Sequence, residues 1–194
     1  MSPQDSSSHL NTYIEMLRDI INRLIQKNAK IQFSKDPVIE KRDIVEYNKK
    51  MRVSVLEKFN APGYLSAINY YLTPKDKETR NAAGAFILYI IDSNLKKFFE
   101  ATGMAVAGFD DDDLEQVTSK CNQLCQTISD EFCGELKSKG YKDLIASTPI
   151  SARNTIPEGV DFSFNQYEKC DVSFYIKNIK SLTLEITLPS LKKQ

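Results

Sequence analysis

The chain has 194 residues, 26 basic and 26 acidic side chains, and one histidine, His9. The length points to one domain, or at most two small ones, and the zero net charge argues against broad electrostatic capture of nucleic acid or an acidic membrane. A single histidine argues against His-based catalytic triads and histidine-built zinc sites.

The longest apolar run, about Ala82–Ile91, falls far short of the ~20 residues that cross a bilayer. The opening MSPQDSSSH has neither the basic nor the apolar region of a secretory signal. Residues 1–8 are therefore expected to be a disordered lead-in, with His9 in the polar tail, and the protein is expected in the cytoplasm. Residues 9–194 form the folded part.

Leu10, Tyr13, Ile14, Leu17, Ile21, Leu24 and Ile25 recur at helical spacing over residues 9–28, with Ser8 as the expected N-cap. Residues 36–50 are polar and mixed. Met51, Val53 and Val55 then alternate with Arg52 and Ser54, which predicts a strand. The turn at Asn60–Gly63 joins it to an aromatic-rich strand over 64–72, giving a hairpin. Pro74–Asn81 reads as a solvated charged loop. Gly84–Ile91 reads as a buried central strand, followed by a short helix capped at Asp92 or Ser93 and ending at Gly103.

The four aspartates at 110–113 lack the alternating ligands, glycine and closing glutamate of a calcium loop. They read instead as acid at the N-terminus of a long helix over 113–137. Residues 143–150 are expected to be extended and to stop at Pro149. Alternation at Val172–Ile176 and Leu182–Leu188, with a tight link at Lys177–Lys180, predicts two closing antiparallel strands. The order of elements gives an α+β fold: a largely antiparallel β-sheet covered by two long helices and one short helix. GxGxxG and Walker A patterns are absent from the sequence.

On the long helix, at about 100° per residue, Leu114, Val117, Cys121, Cys125, Ile128, Phe132 and Leu136 fall within roughly 100° of arc beside Leu124. Ser119, Gln123, Gln126 and Asp130 form a polar row on the opposite face. Three of the four cysteines lie on this helix at spacings that suit neither a disulfide nor a CxxC metal pair, so they read as small buried hydrophobes.

The stretch QLCQTISDEFCGELKSKGY (Gln123–Tyr141), followed by Pro149, resembles the signature helix of the CheC/CheX/FliY family. These are phosphatases of phosphorylated CheY. The family pattern is Asp or Ser, three residues, Glu, two residues, Asn, about twenty-two residues, then Pro. Ser119 stands at its first position and Pro149 at its last. Gln123 and Gln126 stand at the catalytic Glu and Asn positions. GAFILYIIDSNLKKFFEATG (Gly84–Gly103) resembles the strand and helix that precede the signature, and the single signature is similar to CheX more than to the two-site CheC.

The resemblance implies one CheX-like domain over 9–194 and a receiver domain of a CheY-like response regulator as partner. It implies no cofactor on this chain, since the Mg²⁺ and the phosphoryl group belong to the receiver. In the family the Glu pairs with a receiver lysine and the Asn orients the attacking water. By that correspondence Gln123 and Gln126 are the catalytic candidates, and Ser119, Asp130 and Pro149 the binding candidates.

Gln123 keeps the shape of Glu without its charge, and charge-assisted bonds are about twice as strong as neutral ones. Gln126 keeps the amide but adds a methylene, and a displacement of ~1 Å in a positioning group can cost ~100-fold. Asp130 adds a carboxylate facing an acidic partner site. Phosphatase activity is therefore expected to be weakened or lost. The alternatives are an active phosphatase in which Gln126 holds the water, and a structural or oligomeric scaffold on the same fold. A register with Asn122 as the family Asn breaks the spacing to Leu136 and Pro149. A homodimer is implied through sheet edges, with the two closing strands as candidate edges and the N-terminal helix as another route.

Overall fold

The structure is a computed structural model and describes residues 6–26, 31–44, 51 and 53–194, with the side chains of 6–8 and 26 left out. The expectations for residues 1–5, 27–28, 45–50 and 52 lie outside the described residues. Among the described residues, seven strands form one sheet in the order β1–β6–β7–β3–β2–β4, with β5 also on β2, and every pairing is antiparallel.

Helix α1 (Ser6–Gln26) buries Leu10, Tyr13, Ile14, Leu17, Ile21, Leu24 and Ile25 as its periodicity requires. It starts two residues before the expected cap, so Ser8 lies inside the helix. His9 is not in a free tail: it sits on α1, with Nε2 3.1 Å from the carbonyl oxygen of Leu188. Tyr13 ties the same helix to the chain end, its hydroxyl donating to Pro189 O and accepting from Leu191 N.

β1 (Val38–Asp43) lies in the polar stretch, where no strand is expected, and pairs with β6 at the sheet edge. Its residues Glu40, Lys41, Arg42 and Asp43 lack alternation because an edge strand carries charge rather than core. The expected strand at 51–55 does not form among its described residues. Met51, Val53 and Val55 are buried, but beneath the sheet rather than within it. Val55 opens α2 (Val55–Phe59), capped by Ser54 accepting from Glu57 N. The alternation reports burial, and strand pairing is only one way to bury alternate residues.

The expected hairpin is replaced by β2 (Gly63–Tyr71) paired with β3 (Gly84–Ile91). A Cβ on Gly63 would lie 2.5 Å from the Ile90 carbonyl oxygen, and one on Gly84 2.1 Å from that of Thr187, so both positions require glycine. The charged loop between them contains a helical turn, α3 (Pro74–Glu78), because Thr73 caps it and Pro74 fits its first turn. After β3, a 3₁₀ turn at Asp92–Asn94 leads into α4 (Leu95–Ala101). The expected caps are not used there: no side chain caps α4, and Asp92 instead pairs with Arg153.

Helix α5 (Leu114–Ser138) is capped by Asp113, whose carboxylate accepts from Glu115 N and Gln116 N. β4 (Ile145–Ala146) and β5 (Ile150–Arg153) both pair with β2. Pro149 does not end the strand. Tyr70 pairs with Ala146 and Ala67 with Ile150, so this chain carries one more residue than β2 across the gap. Pro149 sits in that bulge, where its missing N–H costs no ladder bond.

β6 (Glu168–Ile176) and β7 (Ile179–Thr187) form the closing hairpin. Lys177 and Asn178 both have positive φ, as a two-residue primed turn needs. These strands are interior: β6 lies between β1 and β7, and β7 between β6 and β3. They supply no free edge, contrary to the expected dimer surface.

The helices α1, α4 and α5 cover one face of the sheet over a large apolar core. α2 and residues around Val53 and Phe162 cover the other face over a smaller one.

Candidate functional site

The two-faced reading of α5 holds along most of its length. Val117, Cys121, Leu124, Cys125, Ile128, Phe132 and Leu136 are buried. Leu114 departs from the expected stripe and is 52% exposed, being the first residue of the helix. Ser119, Gln123 and Asp130 are exposed and Gln126 is half-buried, so all four members of the polar row reach the surface of one helix.

Within the row, Gln126 Nε2 donates to Asp130 Oδ1 at 2.7 Å. The spacing is i, i+4, where helix side chains meet. A carboxylate only accepts, so this bond fixes which way the Gln126 amide is turned and leaves Oε1 as its acceptor for water. Gln123 offers a neutral amide one turn earlier. Pro149 does not join the row: it is buried at the β4–β5 bulge, shaping the strand beside α5 rather than presenting a contact surface.

Two polar contacts, one buried and one partly buried, fix the rotation of α5 on the sheet, and neither was predicted. Tyr70 Oη and Ser129 Oγ lie 2.9 Å apart. Ser151 Oγ donates to Asn122 Oδ1 at 2.7 Å and lies 2.5 Å from Ser66 Oγ. Asn122 is therefore engaged with β5, which removes it as a free member of the row. One sequence signal was available: Ser66 interrupts an otherwise apolar strand, and a buried hydroxyl requires a partner.

Burial pushes the Cys133 and Cys170 thiols up to about 11, and those of Cys121 and Cys125 further. All four are free, and three are fully buried. They pack as small hydrophobes, consistent with their spacing.

The second cluster the sequence reading missed lies under the opposite face. Lys58 Nζ bridges Asp171 (2.5 Å) and Glu185, while Lys169 reaches Glu185 at 3.2 Å. Asp171 and Glu185 face each other across β6 and β7. Burial opposes the charge on Lys58, but the two carboxylates prevail and its pKa is raised.

No family model matches the chain, and no curated protein matches it in sequence. In three dimensions it is similar to a CheC-like superfamily protein from Shewanella sp. PV-4, at TM-score 0.56 and 15% identity, covering 90% of this chain and 95% of that one. The chain has the CheC-like fold. It is also similar to CheX in the CheX–CheY–BeF₃–Mg²⁺ complex from Borrelia burgdorferi, at TM-score 0.52 and 15% identity, covering 92% of this chain and 98% of that one. Thermotoga maritima FliY matches at TM-score 0.53 and 12% identity, covering 98% of this chain and 92% of that one. The CheC-like fold thus accounts for nearly the whole chain. Among the described residues, no helix is long and apolar enough to cross a membrane.

Proposed function

We propose that this chain is a cytoplasmic CheX-like signalling protein of chemotaxis or another two-component pathway. It binds the phosphorylated receiver domain of a CheY-like response regulator through the polar row of α5, with phosphatase activity weakened or lost. The observation that carries this reading is the exposed row Ser119–Gln123–Gln126–Asp130 on α5 of a CheC-like fold. A CheX bound to CheY among the structural neighbours supports the choice of partner.

On this reading residues 9–194 act as one CheX-like domain. The Mg²⁺ and the phosphoryl group come with the receiver, and this chain supplies positioning. Gln123 hydrogen-bonds the partner without charge assistance, so docking is weaker than with a carboxylate. Gln126 Oε1 accepts from the water that faces the aspartyl phosphate, with Asp130 holding the amide in that sense. The same Asp130 brings a negative charge toward an acidic receiver site, and the extra methylene of Gln126 displaces the water. Both effects lower the rate. In a homodimer, the pairing edges are β1 or the β4–β5 strand, since the closing strands are interior.

The test mixes the protein with phosphorylated receiver domains from its own cell and follows both binding and phosphate loss. Binding without faster phosphate loss is the expected result. A clear acceleration abolished by Gln126→Ala would instead establish an active phosphatase. No binding to any receiver would leave the scaffold reading. The double variant Gln123→Glu/Gln126→Asn restores the family pair and is expected to raise phosphate loss. No gain with docking retained would show that the site is misassigned.

A further inference from the structure

The polar row of α5 continues past Asp130. At about 100° per residue, Gly134 and Lys137 fall on the same side of the helix as Ser119, Gln123, Gln126 and Asp130. Both are exposed. At 1.5 Å per residue they lie about 12 and 16 Å beyond Gln126 along the axis.

Glycine in a helix interior is unfavourable relative to alanine. Packing does not require it here, since a Cβ on Gly134 would meet nothing within 4 Å. Its φ is not positive either. The fold gives up helix stability at this point and leaves bare backbone on the row, where another molecule can approach closely.

Lys137 opens a basic patch. Lys142 N donates to Lys192 O at 3.1 Å, Gln194 N donates to Gly140 O at 2.8 Å, and Tyr141 bridges to Lys193. The end of α5 and the last residues of the chain are thereby pinned side by side. This gathers Lys137, Lys139, Lys142, Lys192 and Lys193, all of them exposed. Against them stands Asp143, 3.4 Å from Lys137. Glu131 and Glu135 of the same helix are engaged by Arg23 of α1, at 3.1 and 2.5 Å. The helix dipole accounts for a cation in the last turn, but its effect fades beyond that turn and does not account for Lys142, Lys192 and Lys193. A locally positive field thus stands on a chain with 26 basic and 26 acidic side chains.

One partner's share of a standard interface is about 800 Å², a disc about 16 Å in radius. Centred on Gln126, that disc covers Gly134 and meets Lys137 at its rim. Rim charges act on the association rate and its salt dependence. We propose that the docking surface of α5 runs over Gly134 to this lysine patch, and that the patch draws in an acidic face of the receiver domain. The partner's identity rests on the proposed receiver binding; the acidic chemistry does not. A membrane fits less well, because residues 137–143 and 191–194 contain no exposed large apolar side chain to enter the lipid.

The test uses the full chain and a beryllofluoride-loaded receiver, with association and dissociation followed by stopped flow at low and high salt. Lys137→Gln/Lys139→Gln/Lys142→Gln is expected to slow association about three- to tenfold at low salt, to flatten its salt dependence and to leave dissociation unchanged. Lys35→Gln/Lys177→Gln/Lys180→Gln removes the same charge around the β6–β7 turn and is expected to keep the wild-type rate. Equal slowing by both triple variants would overturn the patch in favour of the net charge of the chain. Gly134→Ala is expected to raise the melting temperature by about 2–4 °C while speeding dissociation about three- to tenfold. A raised melting temperature with unchanged dissociation overturns the Gly134 contact.

In a second arm, hexaglutamate is titrated at low salt and read by NMR at the backbone amides of residues 139–142 and 192–194. Saturable shifts that the first triple variant abolishes are expected. Their absence overturns the patch. If the wild type binds no receiver, saturable hexaglutamate shifts keep the acidic chemistry and overturn the receiver as its source. Binding to phosphatidylserine vesicles that the receiver does not displace would overturn the proposal in favour of a membrane.

Discussion

On the face of the sheet that carries α1, α4 and α5, strands β6 and β7 point Cys170, Val172, Phe174, Leu182, Leu184 and Ile186 into an apolar core. On the other face the same two strands bury Asp171, Ser173, Thr183, Glu185 and Thr187. Ser173 and Thr183 lie within hydrogen-bond distance at 3.0 Å, and Lys58 closes the charge between Asp171 and Glu185. One face is held by apolar shape, whereas on the other these two strands bury a polar cluster beside a smaller apolar core. Non-directional burial tolerates change in proportion to the volume lost, whereas a buried charge cluster fails when any one partner is removed. The helix that carries the proposed docking row rests on the tolerant face, with two hydroxyl contacts to fix its rotation.

The sharpest way to break this contrast is Lys58→Met. It leaves Asp171 with Arg42 at 4.0 Å and Glu185 with Lys169 at 3.2 Å, both carboxylates being almost completely buried. The expected loss is about 3–5 kcal/mol in urea unfolding. Replacing Asp171, Glu185 and Lys169 by apolar residues in the same chain is expected to recover most of it. A loss below 1 kcal/mol for Lys58→Met alone would show that the cluster does not hold α2.

Lys58 also carries a pH signature. Its pKa in the fold is raised above the ordinary 10.5, because the attraction of Glu185 and Asp171 outweighs desolvation. Its contribution is therefore fully present below that ordinary value and is lost as pH rises through the raised one. The gap in melting temperature between wild type and Lys58→Met should hold steady through neutral pH and close only in strong alkali.

On the apolar face, Phe132→Ala is expected to cost about 3–5 kcal/mol through a cavity, with no such dependence on pH. A smaller effect is expected at the rotational keys. Tyr70→Phe takes the Tyr70 hydroxyl from Ser129 in the core, costing about 1–3 kcal/mol, and adding Ser129→Ala should return part of it. A thermal-melt cycle over the four proteins measures the coupling. The smallest effect concerns the thiols. With every cysteine pKa raised by burial, Ellman's reagent at pH 8 should react slowly with the native chain and with all four thiols once it is unfolded.

Much of the helical face was legible. The spacing in α1 and α5 and the apolar run of β3 match their burial nearly residue for residue, because each element repeats at its own period. The polar row was legible for the same reason, as the complement of the buried stripe. The other face was not. β1 is an edge strand whose charges hide its period, and Met51–Val55 alternates without pairing. Ser66 and Ser129 find partners on distant elements, and Lys58 lies 113 residues from Asp171 and 127 from Glu185.

By itself, the sequence determined the α+β class, the two long helices, the buried strand at Gly84–Ile91 and the polar row with two glutamines where the resembling family has Glu and Asn. Those features follow from local periodicity and from residue identity at fixed spacing. Only the tertiary structure decided that Pro149 lies in a bulge, that the closing strands are interior, and that Gln126 is held by Asp130. It alone brought Lys142 beside Lys192 at the end of α5 and set Lys58 between two carboxylates. Burial and charge there depend on which distant segments meet, and no local pattern in the chain records that.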